Sequence, residues 1–98
     1  MGDQYILDES GNVIPCNDIL EWGRWMRDAE RHVGDDRIGD VHISTVFLGT
    51  DHAFGAGPPP ILWETMIFGG EHDGYQERYL TRDEALAGHA RALAMVKP

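Results

Sequence analysis

The histidines His32, His52 and His72 each stand beside a carboxylate or two residues from one, a pairing used in metal sites and in acid–base catalysis. The pairs are Asp51 with His52, Glu71 and Asp73 with His72, and Glu30 with His32. A zinc site needs three or four converging ligands, such as helical histidines four residues apart or Cys/His pairs at fixed spacing. Neither spacing occurs in the sequence. We therefore expect no metal site and no cofactor, and we expect these histidines to be solvated or hydrogen-bonded.

The single cysteine, Cys16, precedes a predicted helix, where the helix dipole can activate a thiol. A catalytic cysteine also needs a histidine held beside it, and the sequence gives no sign of one. A small residue packed at the junction of a hairpin and a helix is the favoured interpretation, because buried free cysteines are common. With no complete catalytic constellation, the sequence predicts a protein that is not an enzyme.

Three arginines, Arg24, Arg27 and Arg31, are spaced three and four residues apart, so a helix would place them on one face. Such a face could bind an anion. The alternative is a solvated face that Asp28 and Glu30 partly neutralise, which is the usual state of charged helix surfaces.

The connection from Gly49 to Pro60 has the composition of a binding loop. Its glycines allow close approach of the backbone, and the three prolines that end it stiffen the return. Long connections without regular structure in a small domain are usually functional. Thr50, Asp51 and His52 offer hydrogen-bonding groups, and Phe54 could stack on a flat ligand. The candidate ligand-binding residues, drawn from this connection and its surroundings, are Arg31, Thr50, Asp51, His52, Phe54, Trp63, Glu64 and Thr65.

Glu64 lies inside an apolar run, where an unpaired carboxylate would be costly. It can face solvent, pair with an arginine or line a pocket. Its neighbours Trp63 and Met66 are typical of a core, and the sequence leaves the three alternatives open.

Two apolar runs, 41–48 and 61–68, would position these residues as central strands buried on both faces. The other predicted elements are a hairpin with arms at 5–7 and 13–15, a helix capped by Asp18, a half-exposed strand at 75–80, and a helix opened by the capping box of Thr81 and Glu84. The stripe of the first helix comprises Ile19, Trp22, Met26, Ala29 and Val33, with Gly34 as its C-cap and a polar turn at 35–40. The stripe of the last helix comprises Leu86, Ala90 and Leu93. The order ββαβββα predicts an α+β fold, a single compact domain over residues 1–98, with a mainly antiparallel sheet and two helices packed on one face.

Composition limits the classes of partner. The formal charge of −9 on 98 residues argues against direct binding to nucleic acid. One cysteine excludes an internal disulfide, and the sequence contains neither a signal peptide nor an apolar run of membrane-spanning length. We expect a cytoplasmic protein that does not bind membranes.

The central segment, STVFLGTDHAFGAGPPP at 44–60 followed by ETMIFGG at 64–70, resembles a group of small proteins encoded by bacteriophages and prophages. The opening residues 5–8 and the closing Gly88-His89 extend the resemblance over nearly the whole chain. The resemblance implies an accessory factor that acts inside an infected host cell, often against host defences. It supplies no catalytic residues.

Two functions from different classes fit these observations. The first is the binding and sequestration of a small anionic ligand of nucleotide type, which requires no catalytic group and favours a homo-oligomer, since such sites often form between subunits. The second is an acidic inhibitor that mimics nucleic acid and binds a host defence protein complex. A small hydrolase or metal enzyme using Asp51, His52 and Glu64 ranks last, because nothing in the sequence brings these groups together.

Overall fold

Two antiparallel sheets and two helices form the chain in the computed structural model, which describes residues 4–53 and 59–97. The elements in chain order are β1 (Tyr5–Leu7), β2 (Val13–Pro15), α1 (Ile19–Asp28), β3 (His32–Ile38), β4 (Val41–Phe47), β5 (Trp63–Phe68), β6 (Gln76–Tyr79) and α2 (Arg82–Val96). The α+β class and the antiparallel pairing are confirmed. Every predicted element is present in the predicted order, and strand β3 is added between α1 and β4.

The larger sheet has the strand order β3-β4-β5-β6, with β4 and β5 in its middle. Alternate residues of these two strands point into the core, as the period of two along a strand requires. The inward-facing residues are Ile43, Thr45 and Phe47 of β4 and Trp63, Thr65 and Ile67 of β5. Helix α2 covers this face, and α1 reaches one end of it through Trp25, whose ring packs edge-on against Phe47.

The second face of the larger sheet carries both polar and apolar side chains and is only partly buried, so the expectation of strands buried on both faces is wrong. Glu64 of β5 pairs with Arg78 of β6 across this face, and His42 of β4 bonds Asp35 of β3 through Nε2 and Oδ1 at 2.5 Å. That hydrogen bond is the main reason why the pKa of Asp35 lies below its usual value. Antiparallel sheets commonly carry one face of this kind.

The first helix is shorter than its stripe predicts. It ends at Asp28, and Ala29 caps it by donating its backbone N–H to the Trp25 carbonyl oxygen at 2.9 Å. Val33 and Gly34 therefore belong to β3 rather than to a helix end, and the expected polar turn at 35–40 is mostly strand. The reason is non-local, because residues 32–38 pair with the buried strand β4 through a tight turn at Gly39, whose φ is +58°.

The second helix begins with the predicted capping box between Thr81 and Glu84. Its buried face differs from the predicted one and consists of Ala85, Gly88, His89 and Ala92. Leu86 and Ala90 are exposed, and Leu93 is partly buried. Small residues on the inner face let α2 lie close to the sheet, which the wider leucine face would prevent.

Candidate functional site

Asp51 and His52 hold the two ends of the connection between β4 and β5 together. Asp51 Oδ1 accepts hydrogen bonds from the backbone N–H groups of Ala53 at 2.8 Å and Ile61 at 2.9 Å. The backbone N–H of His52 donates to the Ile61 carbonyl at 2.9 Å, and its ring Nδ1 lies 2.8 Å from the Thr50 carbonyl. In the described residues, Asp51 thus stabilises the loop itself. Phe54, the predicted stacking residue, lies outside the described residues.

Gly49 is the point at which this loop meets α1 and β1. Its carbonyl oxygen accepts hydrogen bonds from the backbone N–H of Tyr5 at 2.8 Å and from Trp22 Nε1 at 2.9 Å. Its φ is +75°, and a Cβ at this position would lie 2.5 Å from Met26 Sδ. Thr50 follows directly and forms a β-bridge with Gln4. Glycine is required here both by the backbone conformation and by the close approach of α1.

The three predicted site residues of β5 do not form one surface. Trp63 and Thr65 point into the core, whereas Glu64 points to the opposite face. Glu64 accepts hydrogen bonds from Arg78 Nε at 2.9 Å and from the Gln76 amide. Of the three alternatives for this carboxylate, pairing with an arginine is the observed one. Because alternate side chains of a strand point to opposite faces of the sheet, these three residues cannot line one binding site together.

Trp63 nevertheless has an unusual feature. Its Nε1 is buried and has no hydrogen-bond partner among the described residues. Its ring packs against Phe47 at a centroid distance of 5.3 Å, and Phe47 in turn packs against Trp25 at 5.7 Å. These three aromatic side chains form a continuous row from the core to α1.

Of the two alternatives for the three arginines, a shared anion-binding helix face is not formed, because Arg31 lies beyond the end of α1. Arg31 donates from Nη1 to the Phe47 carbonyl at 2.9 Å, and Arg27 pairs with the adjacent Asp28 at 3.0 Å. Arg24 makes no hydrogen bond or ion pair with any residue that the structure describes. One of the three arginines therefore remains available to an anion.

A groove of about 460 Å³ runs between α1 and β1 beside Arg24. Its lining residues are Ile6, Glu21, Arg24, Trp25, Asp28 and Ala29. The volume is within the usual range for small-molecule sites, and the groove combines apolar and aromatic surface with one unpaired cation. This site was not predicted from the sequence because Ile6 of β1, which forms part of its apolar lining, lies far from α1 in the sequence. The adjacency of Arg24 and Trp25 is the local signal that could have indicated it.

A chain of hydrogen bonds, buried in its middle and partly buried at its two ends, links α2 to all four strands of the larger sheet. Its members, in order, are Asp36, His89, Thr45, Thr65, Tyr79 and Glu77. His89 lies 2.7 Å from both Asp36 Oδ2 and Thr45 Oγ1, and Tyr79 Oη lies 2.9 Å from Thr65 Oγ1. This chain was not predicted from the sequence because its members come from five separate elements.

The donors in this chain can be arranged in two consistent ways. With a neutral His89 that donates from Nε2 to Asp36, the three hydroxyl groups all donate in the direction of His89 Nδ1. With a doubly protonated His89, they all donate in the direction of the Glu77 carboxylate. Thr45 and Thr65 are fully buried in either arrangement. The hydroxyl–histidine–carboxylate order is that of a nucleophilic triad, but no substrate can reach Thr45, so the chain fixes the position of α2 on the sheet.

Electrostatics at the Glu77 end agree with this structural interpretation. Burial raises the pKa of Tyr79 to about 12. Burial also acts to raise the pKa of Glu77, but hydrogen bonds from Tyr75, Arg91 and Tyr79 outweigh it and leave that pKa below its usual value. Tyr79 thus stays neutral and Glu77 stays ionised near pH 7, which keeps the phenol a donor and the carboxylate an acceptor.

Comparisons with protein-family models, with curated proteins and with solved structures find no match to this chain. Within residues 4–53 and 59–97, no group of three or more His, Cys, Asp or Glu side chains is arranged to hold a metal ion. Neither of the helices in this part of the chain is long and apolar enough to cross a membrane.

Proposed function

We propose that this protein is a phage-encoded accessory factor that counters host defence by binding and sequestering a small anionic ligand of nucleotide type, without catalysis. It would act in the cytoplasm of the infected host cell. The observation that carries the proposal is the groove beside α1, in which an aromatic ring and an unpaired guanidinium, those of Trp25 and Arg24, lie on one wall.

The two side chains suit the two halves of a nucleotide. An indole offers a flat apolar surface on which a base can stack, and stacking on aromatic side chains contributes about 1–3 kcal/mol per base. A guanidinium binds phosphate through two parallel hydrogen bonds. Arg24 can provide them because none of its donors is used within the described structure.

Although the whole chain is acidic, only the carboxylates close to the groove should repel an anionic ligand. At physiological salt, charges farther away than about 8 Å are largely screened. Of the two carboxylates in the groove, Asp28 is already paired with Arg27, which leaves Glu21 as the main repulsive group. A second cavity of about 450 Å³ beside β6 is a weaker candidate, because its arginines, Arg78 and Arg91, pair with Glu64 and Glu77.

The proposal is tested by native mass spectrometry of the protein purified from bacterial cells, followed by thermal unfolding with a panel of nucleotides. We expect a bound mass of nucleotide size and a rise in Tm that grows with ligand excess. Arg24→Ala should abolish the rise in Tm, and Glu21→Gln should increase it. Arg82→Ala is the matched control, because it removes the same charge from the exposed start of α2, away from the groove.

Two results would overturn the proposal. The first is a protein that carries no small molecule and gains no stability from any nucleotide. The second is a rise in Tm that persists in Arg24→Ala, which would place the ligand elsewhere.

The charge of −9 favours one alternative function, an acidic inhibitor that occupies the nucleic-acid channel of a host defence complex. Such a protein would show no nucleotide-induced rise in Tm. Its binding to a basic host complex would weaken steeply as salt rises, because the attraction acts between exposed charges. The salt dependence of that binding therefore separates the two functions.

A further inference from the structure

The chain of hydrogen bonds between His89 and Glu77 has room for one more proton than its hydroxyl groups supply. Its four contacts are His89 Nδ1–Thr45 Oγ1 at 2.7 Å, Thr45 Oγ1–Thr65 Oγ1 at 2.5 Å, Thr65 Oγ1–Tyr79 Oη at 2.9 Å and Tyr79 Oη–Glu77 Oε1 at 3.2 Å. Each contact is a hydrogen bond only when one proton lies in it. The three hydroxyl groups supply three protons, so the fourth has to come from His89.

The protonation state of His89 decides which contact lacks a proton. When a neutral His89 donates from Nε2 to Asp36, every hydroxyl group donates towards the histidine, and the contact between Tyr79 and Glu77 is left without a proton. This contact is also the longest of the four, at 3.2 Å. A second proton, on Nδ1, fills all four contacts. The Tyr79 hydroxyl then turns from Thr65 to Glu77, and both acceptors already lie within hydrogen-bond distance of it, so the ring need not move.

From this count we infer that His89 is a pH-dependent switch: the uptake of one proton at Nδ1 reverses the three hydroxyl groups and gives Glu77 a further hydrogen bond. The proton is taken up from solvent. One N–H bond forms and no O–H bond breaks, because each hydroxyl group only rotates about its C–O bond. Histidine suits this function because its charge changes between about pH 5 and pH 8.

The charged groups that face His89 stabilise its doubly protonated form. From β3, the Asp36 carboxylate lies 2.7 Å from Nε2. The inward-facing residues of β4 and β5, all of which the structure describes, carry no ionisable group. The remaining groups are Glu77 and Tyr79 of β6, Tyr75 directly before it, and Arg91 of α2, which pairs with Glu77 at 3.2 Å. A carboxylate therefore stands at each end of the chain, and the added positive charge lies between the two.

The switch connects the two edges of the larger sheet. Asp36 lies on the edge strand β3 and Glu77 on the edge strand β6. Because coupling between two sites is reciprocal, a group that changes the hydrogen bonding of Glu77 also changes the protonation of His89. Glu77 lines the cavity beside β6, so a donor that binds its carboxylate there competes with Tyr79 and favours the neutral histidine. This coupling is independent of the proposed ligand groove beside α1.

The inference is tested by NMR titration of the full chain without ligand, between about pH 5 and pH 8. The ¹⁵N shifts of His89 report proton uptake at Nδ1, and the ¹³C shift of the Glu77 carboxylate reports its hydrogen bonding. Glu77 itself stays ionised in this range, because its pKa lies below its usual value. We expect the signals of both residues to change with the same midpoint.

Two variants separate a response carried by the hydroxyl groups from one carried by charge through space. Thr65→Val removes the hydroxyl in the middle of the chain at nearly constant shape, so the Glu77 response should be lost while His89 still titrates. Thr65→Ser is the matched control, because it keeps a hydroxyl group and should keep the response. Tyr79→Phe removes the last hydroxyl group and should also abolish the response, which provides the same test if Thr65→Val does not fold.

Two results would overturn the inference. The first is a wild-type His89 that keeps one protonation state throughout the titration. The second is a Glu77 response of undiminished size in Thr65→Val or Tyr79→Phe, which would show that the charge of His89 acts through space and not through the hydroxyl groups.

Discussion

Two glycines determine how closely the buried polar chain can pack. A Cβ on Gly34 of β3 would lie 2.6 Å from the His89 ring, and one on Gly88 of α2 would overlap the Tyr79 hydroxyl. Neither glycine has a positive φ, so the requirement comes from neighbouring side chains and not from the backbone conformation. The absence of a side chain at these positions lets His89 and Tyr79 reach the threonines between them.

Gly88→Ala and Gly23→Ala should therefore have opposite effects, although both exchange a helical glycine for alanine. We expect Gly88→Ala to lower the free energy of unfolding by about 1–3 kcal/mol, because the rigid phenol cannot yield without breaking its hydrogen bonds. Gly23→Ala, with nothing near its new methyl group, should raise that free energy by about 0.5–1 kcal/mol. Urea unfolding of the two variants beside the wild type measures both values. Effects of the same sign would show that helix propensity, rather than the contact with Tyr79, decides both.

Only part of the chain of hydrogen bonds from Asp36 to Glu77 could have been predicted from the sequence. Thr45 and Thr65 stand at the same parity as Phe47 and Ile67 in strands predicted to be buried, so their inward direction could have been predicted. The inward direction of their partner His89 could not have been predicted in this way, because the leucines of α2 indicated a different buried face. The choice between that face and the one containing His89 depends on the fit of small residues against the sheet, which appears only when the elements are packed together.

At the level of elements, the sequence correctly predicted the turns and helix caps that are stabilised by hydrogen bonds between residues close in the sequence. The hairpin turn, the Asp18 cap and the capping box at Thr81 each rest on hydrogen bonds within a few residues, and all three are confirmed. Strand β3 was missed because its sequence, HVGDDRI, lacks a strand pattern of its own. It is a strand because β4 offers it a ladder of backbone hydrogen bonds, and pairing of this kind overrides propensity at a sheet edge.

The connection between β4 and β5 yields a prediction at the same scale. Asp51→Ala removes the acceptor of two backbone N–H groups and should lower the free energy of unfolding by about 1.5–3 kcal/mol. Asp51→Asn keeps an oxygen at that position and should restore most of the loss. Hydrogen exchange is the direct measurement, because in the alanine variant the amides of Ala53 and Ile61 should gain more in exchange rate than that of Ile43, whose exchange in the core of β4 reports only the global loss of stability. Unaltered exchange at Ala53 and Ile61 would contradict a structural function for Asp51 and return it to the candidate ligand-binding residues.

On the scale of the whole molecule, the distribution of charge matters more than its total. The principal extents of the chain are 44 × 29 × 21 Å, so parts of its surface are too far apart to share one potential at physiological salt. The ion pairs Glu64–Arg78 and Glu77–Arg91 lie at the β5–β6 end of the sheet, and α1 is neutral. The excess of carboxylates lies on the remaining surface, so two copies of the chain should repel each other over much of their surfaces.

Raising the salt concentration should therefore favour self-association of the chain rather than oppose it. Between about 0.01 M and 0.15 M salt the Debye length falls from about 30 Å to about 8 Å, which screens the repulsion between two chains of charge −9. Sedimentation equilibrium at the two salt concentrations measures this effect as a change in the dissociation constant. Self-association that weakens as salt rises would contradict the prediction, because it would mean that attraction between opposite charges holds the copies together.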